Sequence, residues 1–129
     1  MGVKLSQRLR INAAVTPQDI QTAKTSPFVP IAGAGQLMAA VTTAALLVGK
    51  KAVVQFLQAT DASGTGVKSL GAAVEKVATV AGPVAFTAEA YTERLDEGFG
   101  FVAVQLSSDN GAAVIGSAML ISANNRFNP

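Results

Sequence analysis

The chain contains no histidine, no cysteine and no tryptophan in its 129 residues. Without histidine it lacks the side chain that most readily moves protons near neutral pH and most often ligates transition metals. Without cysteine it has no disulfide and no thiolate chemistry, and its redox compartment stays open. Aromatic residues make up only 5% and charged residues only 14% of the sequence, and the net charge is +2. That balance is too small to define a protein by its basicity. What is present is half apolar, rich in alanine, valine and threonine, and cut into short alternating runs. The length fits one domain, able to bury about two thirds of the surface of its unfolded chain. The composition favours packing, pairing and assembly. It points away from an enzyme, and no cofactor or metal is expected.

No targeting segment is apparent: residues 1–18, MGVKLSQRLRINAAVTPQ, carry Lys4, Arg8 and Arg10 with no apolar core after them. The longest apolar run, LMAAVTTAALLV at 37–48, is too short to span a bilayer and holds two threonines. It reads as strand, turn and strand entry, so no membrane partner is expected.

The sequence divides into an arm, residues 1–30, and a body, residues 31–129. The arm holds Lys4, Arg8, Arg10 and Lys24 against one acid, Asp19, and three prolines at 17, 27 and 30. Its apolar residues keep no long period. Such a segment gains more from lying on another surface than from folding on itself. The expected contact residues are Lys4, Leu5, Arg8, Leu9, Arg10, Ile11 and Phe28.

The body reads as strands. Residues 36–43 form the first. In 52–60, AVVQFLQAT, Val54 and Phe56 face one way and Val53, Gln55 and Leu57 the other. A turn follows at 61–66, DASGTG. Residues 72–80 and 83–91 are expected to pair, broken at Ala81-Gly82-Pro83. In the second of these, Val84, Phe86, Ala88 and Ala90 share one face. Residues 92–98 suit a helical turn capped by Thr92 and ended by Gly98. Residues 99–107 and 112–123 alternate on either side of Asp109-Asn110-Gly111, and Asn-Gly between such runs predicts a two-residue hairpin. In the last run Ile115, Met119 and Ile121 oppose Val114, Ala118 and Leu120. Several short strands with turns between them predict an all-β fold: a single small sandwich or barrel of about six to eight antiparallel strands with an extended N-terminal arm. Strands apolar on both sides predict that both faces meet something.

Candidate chemistry is sparse. Glu89, Glu93, Asp96 and Glu97 cluster around Tyr91 and Arg94, and a carboxylate pair could serve hydrolysis. A solvated turn with local ion pairs is the simpler reading. Asp61 and Asp109 each lie in a turn that explains them, without calcium-loop spacing. Lys68-Ser69 lacks the S-x-x-K spacing of a Ser–Lys dyad. Gly33-Ala34-Gly35, Gly64-Thr65-Gly66 and Gly49-Lys50-Lys51 match neither nucleotide fingerprint. The arm's cations could meet phosphates, but no row of stacking aromatics accompanies them. An acidic protein surface is the favoured partner over nucleic acid.

Three stretches carry a family resemblance: QFLQATDASGTG at 55–66, TAEAYTERLDEGF at 87–99 running into VAVQL at 102–106, and the closing RFNP at 126–129. The pattern, covering about residues 35–129, resembles small virion structural proteins of tailed bacteriophages, of the capsid decoration (cement) type. The resemblance implies an all-β subunit bound to the major capsid protein on the capsid surface of the virion, made in the host cytoplasm and associating with its own copies as a homo-oligomer. The alternatives are a head–tail connector or tail protein, and a carbohydrate-binding β-domain using Tyr91, Phe99, Phe101 or Phe127.

Overall fold

The computed structural model describes residues 9–31 and 35–123. They form a sandwich of two antiparallel sheets, as period-two alternation with one buried face requires. In chain order the strands are β1 (Leu9–Asp19), β2 (Lys24–Thr25), β3 (Val29–Pro30), β4 (Gln36–Thr43), β5 (Lys51–Ala59), β6 (Lys68–Ser69), β7 (Val74–Val77), β8 (Ala85–Tyr91), β9 (Phe101–Ser108) and β10 (Ile115–Ala123). The first sheet runs β1-β10-β4-β8. The second runs β2-β9-β5-β6, with β3 also on β9 and β7 also on β5.

The core lies between the sheets. Val54 and Phe56 of β5 and Val102, Val104 and Leu106 of β9 pack against Leu37, Ala39 and Val41 of β4, Ala118 and Leu120 of β10, and Ala88 and Ala90 of β8. Alanines on the first sheet face larger side chains of the second across the core. Face assignments along β5, β8 and β10 follow the sequence alternation.

Three expectations need correction. The first is the arm. Residues 9–30 are not a separate extension: β1 forms the longest strand of the first sheet, paired with β10 from Leu9↔Ala123 to Asp19↔Ile115. Ile20 is fully buried in the common core, and β2 and β3 both pair with β9. The polar and proline-rich character of this stretch comes from its irregularities. Two register shifts interrupt β1, and Pro17 lies in the second. A bulged edge strand tolerates a missing N–H, and bulges erase the clean alternation that would have marked it as a strand.

The second is the Asn-Gly hairpin. β9 and β10 lie in different sheets, so residues 109–114 cross the sandwich. Gly111 does take positive φ, 78°. Asn110, however, is buried, and its side chain is a staple. Its Oδ1 accepts the N–H of Leu47 at 2.8 Å and its Nδ2 donates to the carbonyl of Ala112 at 3.1 Å. The third is the pairing of 72–80 with 83–91. β7 pairs with β5 and β8 pairs with β4, again in different sheets. The turn after β8 is a single 3₁₀ turn, Thr92–Arg94, with Tyr91 rather than Thr92 at its N-cap and no side-chain cap.

Candidate functional site

Four aspartates, Asp19, Asp61, Asp96 and Asp109, are engaged by the chain's own residues. Asp61 accepts the Thr65 hydroxyl at 2.7 Å and the N–H groups of Ser63 and Thr65 at 2.9 and 3.2 Å. The Thr65 side chain, then its backbone N–H, holds the Asp61 carboxyl below its ordinary value. Asp19 is likewise lowered, first by the N–H of Gln21 and then by that of Val114. Asp109 accepts the N–H of Lys51 at 2.9 Å. Asp96 pairs with Lys68, whose ammonium also lies 4.4 Å from the centroid of the Phe99 ring. The amide of Asp96 donates to Gln58 Oε1 at 2.9 Å, and Gln58 Nε2 donates to the carbonyl of Ser69 at 3.0 Å. These contacts tie the loop at 95–99 to β5 and β6. Among the described residues no group of three or more carboxylates is placed to hold a metal ion. Among the same residues no helix is long and apolar enough to cross a membrane.

A different feature stands out: the outer face of the first sheet. Leu37, Ala39 and Val41 point into the core, so their neighbours Met38, Ala40 and Thr42 point outward. The register carries that face across the sheet. Met38 lies beside Ile121 and Glu89, Ala40 beside Met119 and Thr87, and Thr42 beside Ser117 and Ala85. On β1, Ile11 lies beside Ile121 and Ala14 beside Met119. The face is apolar or small throughout, with Glu89 its one charged member among these pairs. Ile11 is 63% exposed, Ile115 49% and Met119 40%. The hydroxyls of Thr42 and Ser117 hydrogen-bond each other at 3.0 Å. Two shallow depressions mark the surface. One of about 410 Å³ is lined by Ala40, Thr42, Ala85, Thr87, Ser117 and Met119. One of about 90 Å³ is lined by Leu9, Met38, Glu89, Ile121 and Ala123.

The expected contact residues divide over this picture. Leu9 and Ile11 lie on the face, Ile11 most openly. Arg10 is exposed on β1 opposite Ser122. Phe28 packs at home: its ring sits over Gly64, so close that a Cβ there would meet its Cε1 at 3.0 Å. It lies over Gly64 in the 61–66 turn of its own chain. Lys4, Leu5 and Arg8 lie outside the described residues. Met38, Ile115 and Met119 were not singled out as contacts, although the apolar residues on both sides of 115–121 already carried the signal. A second groove, about 260 Å³, opens beside Tyr91 between β8 and residues 70–72, with Glu89 and Arg94 on its rim.

No family model matches the chain, and no curated protein matches it. Solved structures do. The PBSX exported protein XepA superposes with a TM-score of 0.58 at 10% identity, over 100% of this chain and 41% of its own. The chain thus spans about two fifths of that protein's length. The infectious bursal disease virus VP2 subviral particle gives a TM-score of 0.47 at 8% identity, over 98% of this chain and 37% of that one. A carbohydrate-binding module specific for non-crystalline cellulose gives 0.49 at 8% identity, over 84% and 68%. At such identities the likeness is one of fold, a two-sheet β-sandwich.

Proposed function

We propose that this protein is a bacteriophage capsid decoration (cement) protein, which binds the assembled shell and stabilises it by contact rather than by catalysis. The observation that carries the reading is the outer face of the β1-β10-β4-β8 sheet. Monomeric proteins rarely leave a broad apolar face uncovered. This one presents Ile11, Met38, Ile115 and Met119, with two carboxylates beside them, Glu89 next to Met38 and Asp19 next to Ile115. The major capsid protein is the partner, and the virion surface is the location. A decoration protein binds the assembled shell and not its dispersed subunits, so mass action shifts the equilibrium toward the shell. Contact area and copy number suffice for that, at about 25 cal/mol per Å² of apolar surface covered. The family resemblance of residues 35–129 and the fold shared with a PBSX exported protein agree with this reading.

The test mixes the purified protein with expanded, undecorated shells of its cognate capsid protein. Binding in hundreds of copies and a raised shell-disruption temperature are expected. Ile11→Lys and Met119→Lys, both at exposed positions, should weaken binding without unfolding the subunit. Failure to bind, or occupancy of about a dozen copies or fewer, would sink the reading and favour a connector or tail position. A carbohydrate-binding role draws on one observation, Tyr91 beside its groove with Glu89 and Arg94. It predicts glycan binding that Tyr91→Ala abolishes.

A further inference from the structure

A β-sandwich has open edges, and natural proteins guard them against pairing with other chains. Five guarded edge segments can be named among the described residues. β1 is broken by two register shifts and carries Pro17. β2, β3 and β6 are two residues long. β7 has four residues, two of them the charged Glu75 and Lys76. β8 has none of these devices. It runs for seven residues, Ala85–Tyr91, in unbroken register with β4 on one side. Among the described residues no strand pairs with its other side. It contains no proline, no lysine and no bulge, and one charge, Glu89. Its backbone N–H and C=O groups on that side form a template for another strand.

We infer that β8 pairs antiparallel with β8 of a second copy, joining the two four-stranded sheets into one continuous sheet across a twofold axis. The strand's own sequence fits this occupant. Cross-strand neighbours must share a face, so residues of the same parity pair. Centred on Ala88, the register uses all seven residues. On the outer face Thr87 meets Glu89 of the second copy, and Ala85 meets Tyr91. On the inner face Phe86 meets Ala90, and Ala88 meets itself. Every large side chain faces a small one, and no carboxylate faces another. Centring on Glu89 would oppose two carboxylates. Centring on Thr87 would set Tyr91 against Pro83, which has no N–H to give. The free edge also has room: the 260 Å³ groove lies along Glu89, Ala90 and Tyr91. In the Ala88 register Glu89, Ala90 and Tyr91 on this side meet Thr87, Phe86 and Ala85 of the second copy. Pairing would double the apolar outer face into one plane. The inference stands on the edge geometry and does not rest on the capsid reading.

The experiment measures the solution mass of the full chain by light scattering or sedimentation across a concentration series. The expected mass at high concentration is twice the 13.1 kDa of one chain. Thr87→Glu places a carboxylate opposite Glu89 of each partner and should return the protein to a monomer with an unchanged circular dichroism spectrum. Adding Glu89→Lys to Thr87→Glu should restore the dimer, since each new carboxylate then meets a lysine. A wild-type chain that stays monomeric overturns the inference and leaves the edge to a strand of another protein. A dimer that survives Thr87→Glu overturns it too, because another surface then holds the copies together. Failure of the double variant to recover overturns the Ala88 register.

Discussion

Gly116 faces the core from β10, and a methyl group placed on it would lie 2.6 Å from Ile20 Cδ1, 3.1 Å from Cγ1 and 3.3 Å from Cγ2. Ordinary carbon contacts lie near 3.5–4.0 Å. Gly116→Ala therefore asks the whole Ile20 side chain to move, and Ile20 is 0% exposed within the packed core. An alanine in a strand interior would otherwise gain about 0.5–1 kcal/mol over glycine, by restricting the unfolded chain. Overpacking at a site that cannot yield costs about 1–3 kcal/mol. The net expectation is a loss of about 1–2 kcal/mol. Ile20→Val removes the Cδ1 atom and alone costs about 0.5–1.5 kcal/mol. Combined, the two should be less destabilising than their sum by about 1 kcal/mol, because the nearest clash is gone. Urea denaturation of the four proteins measures this as midpoint shifts at constant slope. The cycle also tests where residues 9–30 belong. If Ile20 sat on an arm detached from the body, Gly116→Ala would match or exceed wild-type stability and the cycle would show no coupling. Either result would refute the packing described above.

Asn110→Ala removes a buried acceptor and donor together, leaving the Leu47 N–H and the Ala112 carbonyl without their partner. A loss of about 1–3 kcal/mol is expected, against a smaller effect for the exposed Asp109→Ala. Equal small losses in thermal melts would contradict the staple. Asp19 and Asp61 both have carboxyls held below their ordinary value by hydrogen bonds of the folded chain. A depressed folded-state value stabilises the fold above the unfolded carboxylate range, and that stability is lost as pH falls through the folded-state value. Stability should therefore drop below about pH 4, and Asp19→Asn and Asp61→Asn should each flatten that acid limb in chemical denaturation at stepped pH. An unchanged limb in both variants would argue against these hydrogen bonds.

The strands that alternate cleanly were legible in the sequence. Residues 36–43 form β4 over that same span, β5, β8 and β9 fall within one or two residues of their expected bounds, and β10 ends where expected but starts three residues later. Their inner faces were legible as well, because a pleated strand turns every second side chain to one side regardless of its neighbours. β1 was not legible. Its two register shifts break the period on which the reading depends, and its pairing with β10 joins residues about a hundred positions apart. The candidate docking face was half legible. Ile11 was singled out for its place in a supposed arm, and Met119 was assigned a side, but nothing local says that β1, β10, β4 and β8 lie next to one another.

By itself, the sequence determined an all-β chain, the places and buried faces of its cleanly alternating strands, and its lack of cysteine and histidine chemistry. These follow from composition and from side-chain alternation, which are local. Tertiary structure alone decided which strands share a sheet. At Asn110-Gly111 the local preference for a tight turn was met, but Asn110 is held inside by Leu47, from a loop more than sixty residues earlier, and the chain crosses to the other sheet. Strand order is set by how two whole faces bury each other, a long-range balance that no turn sequence encodes. That order brings Ile11, Met38 and Met119 into one exposed face and leaves β8 at its open edge.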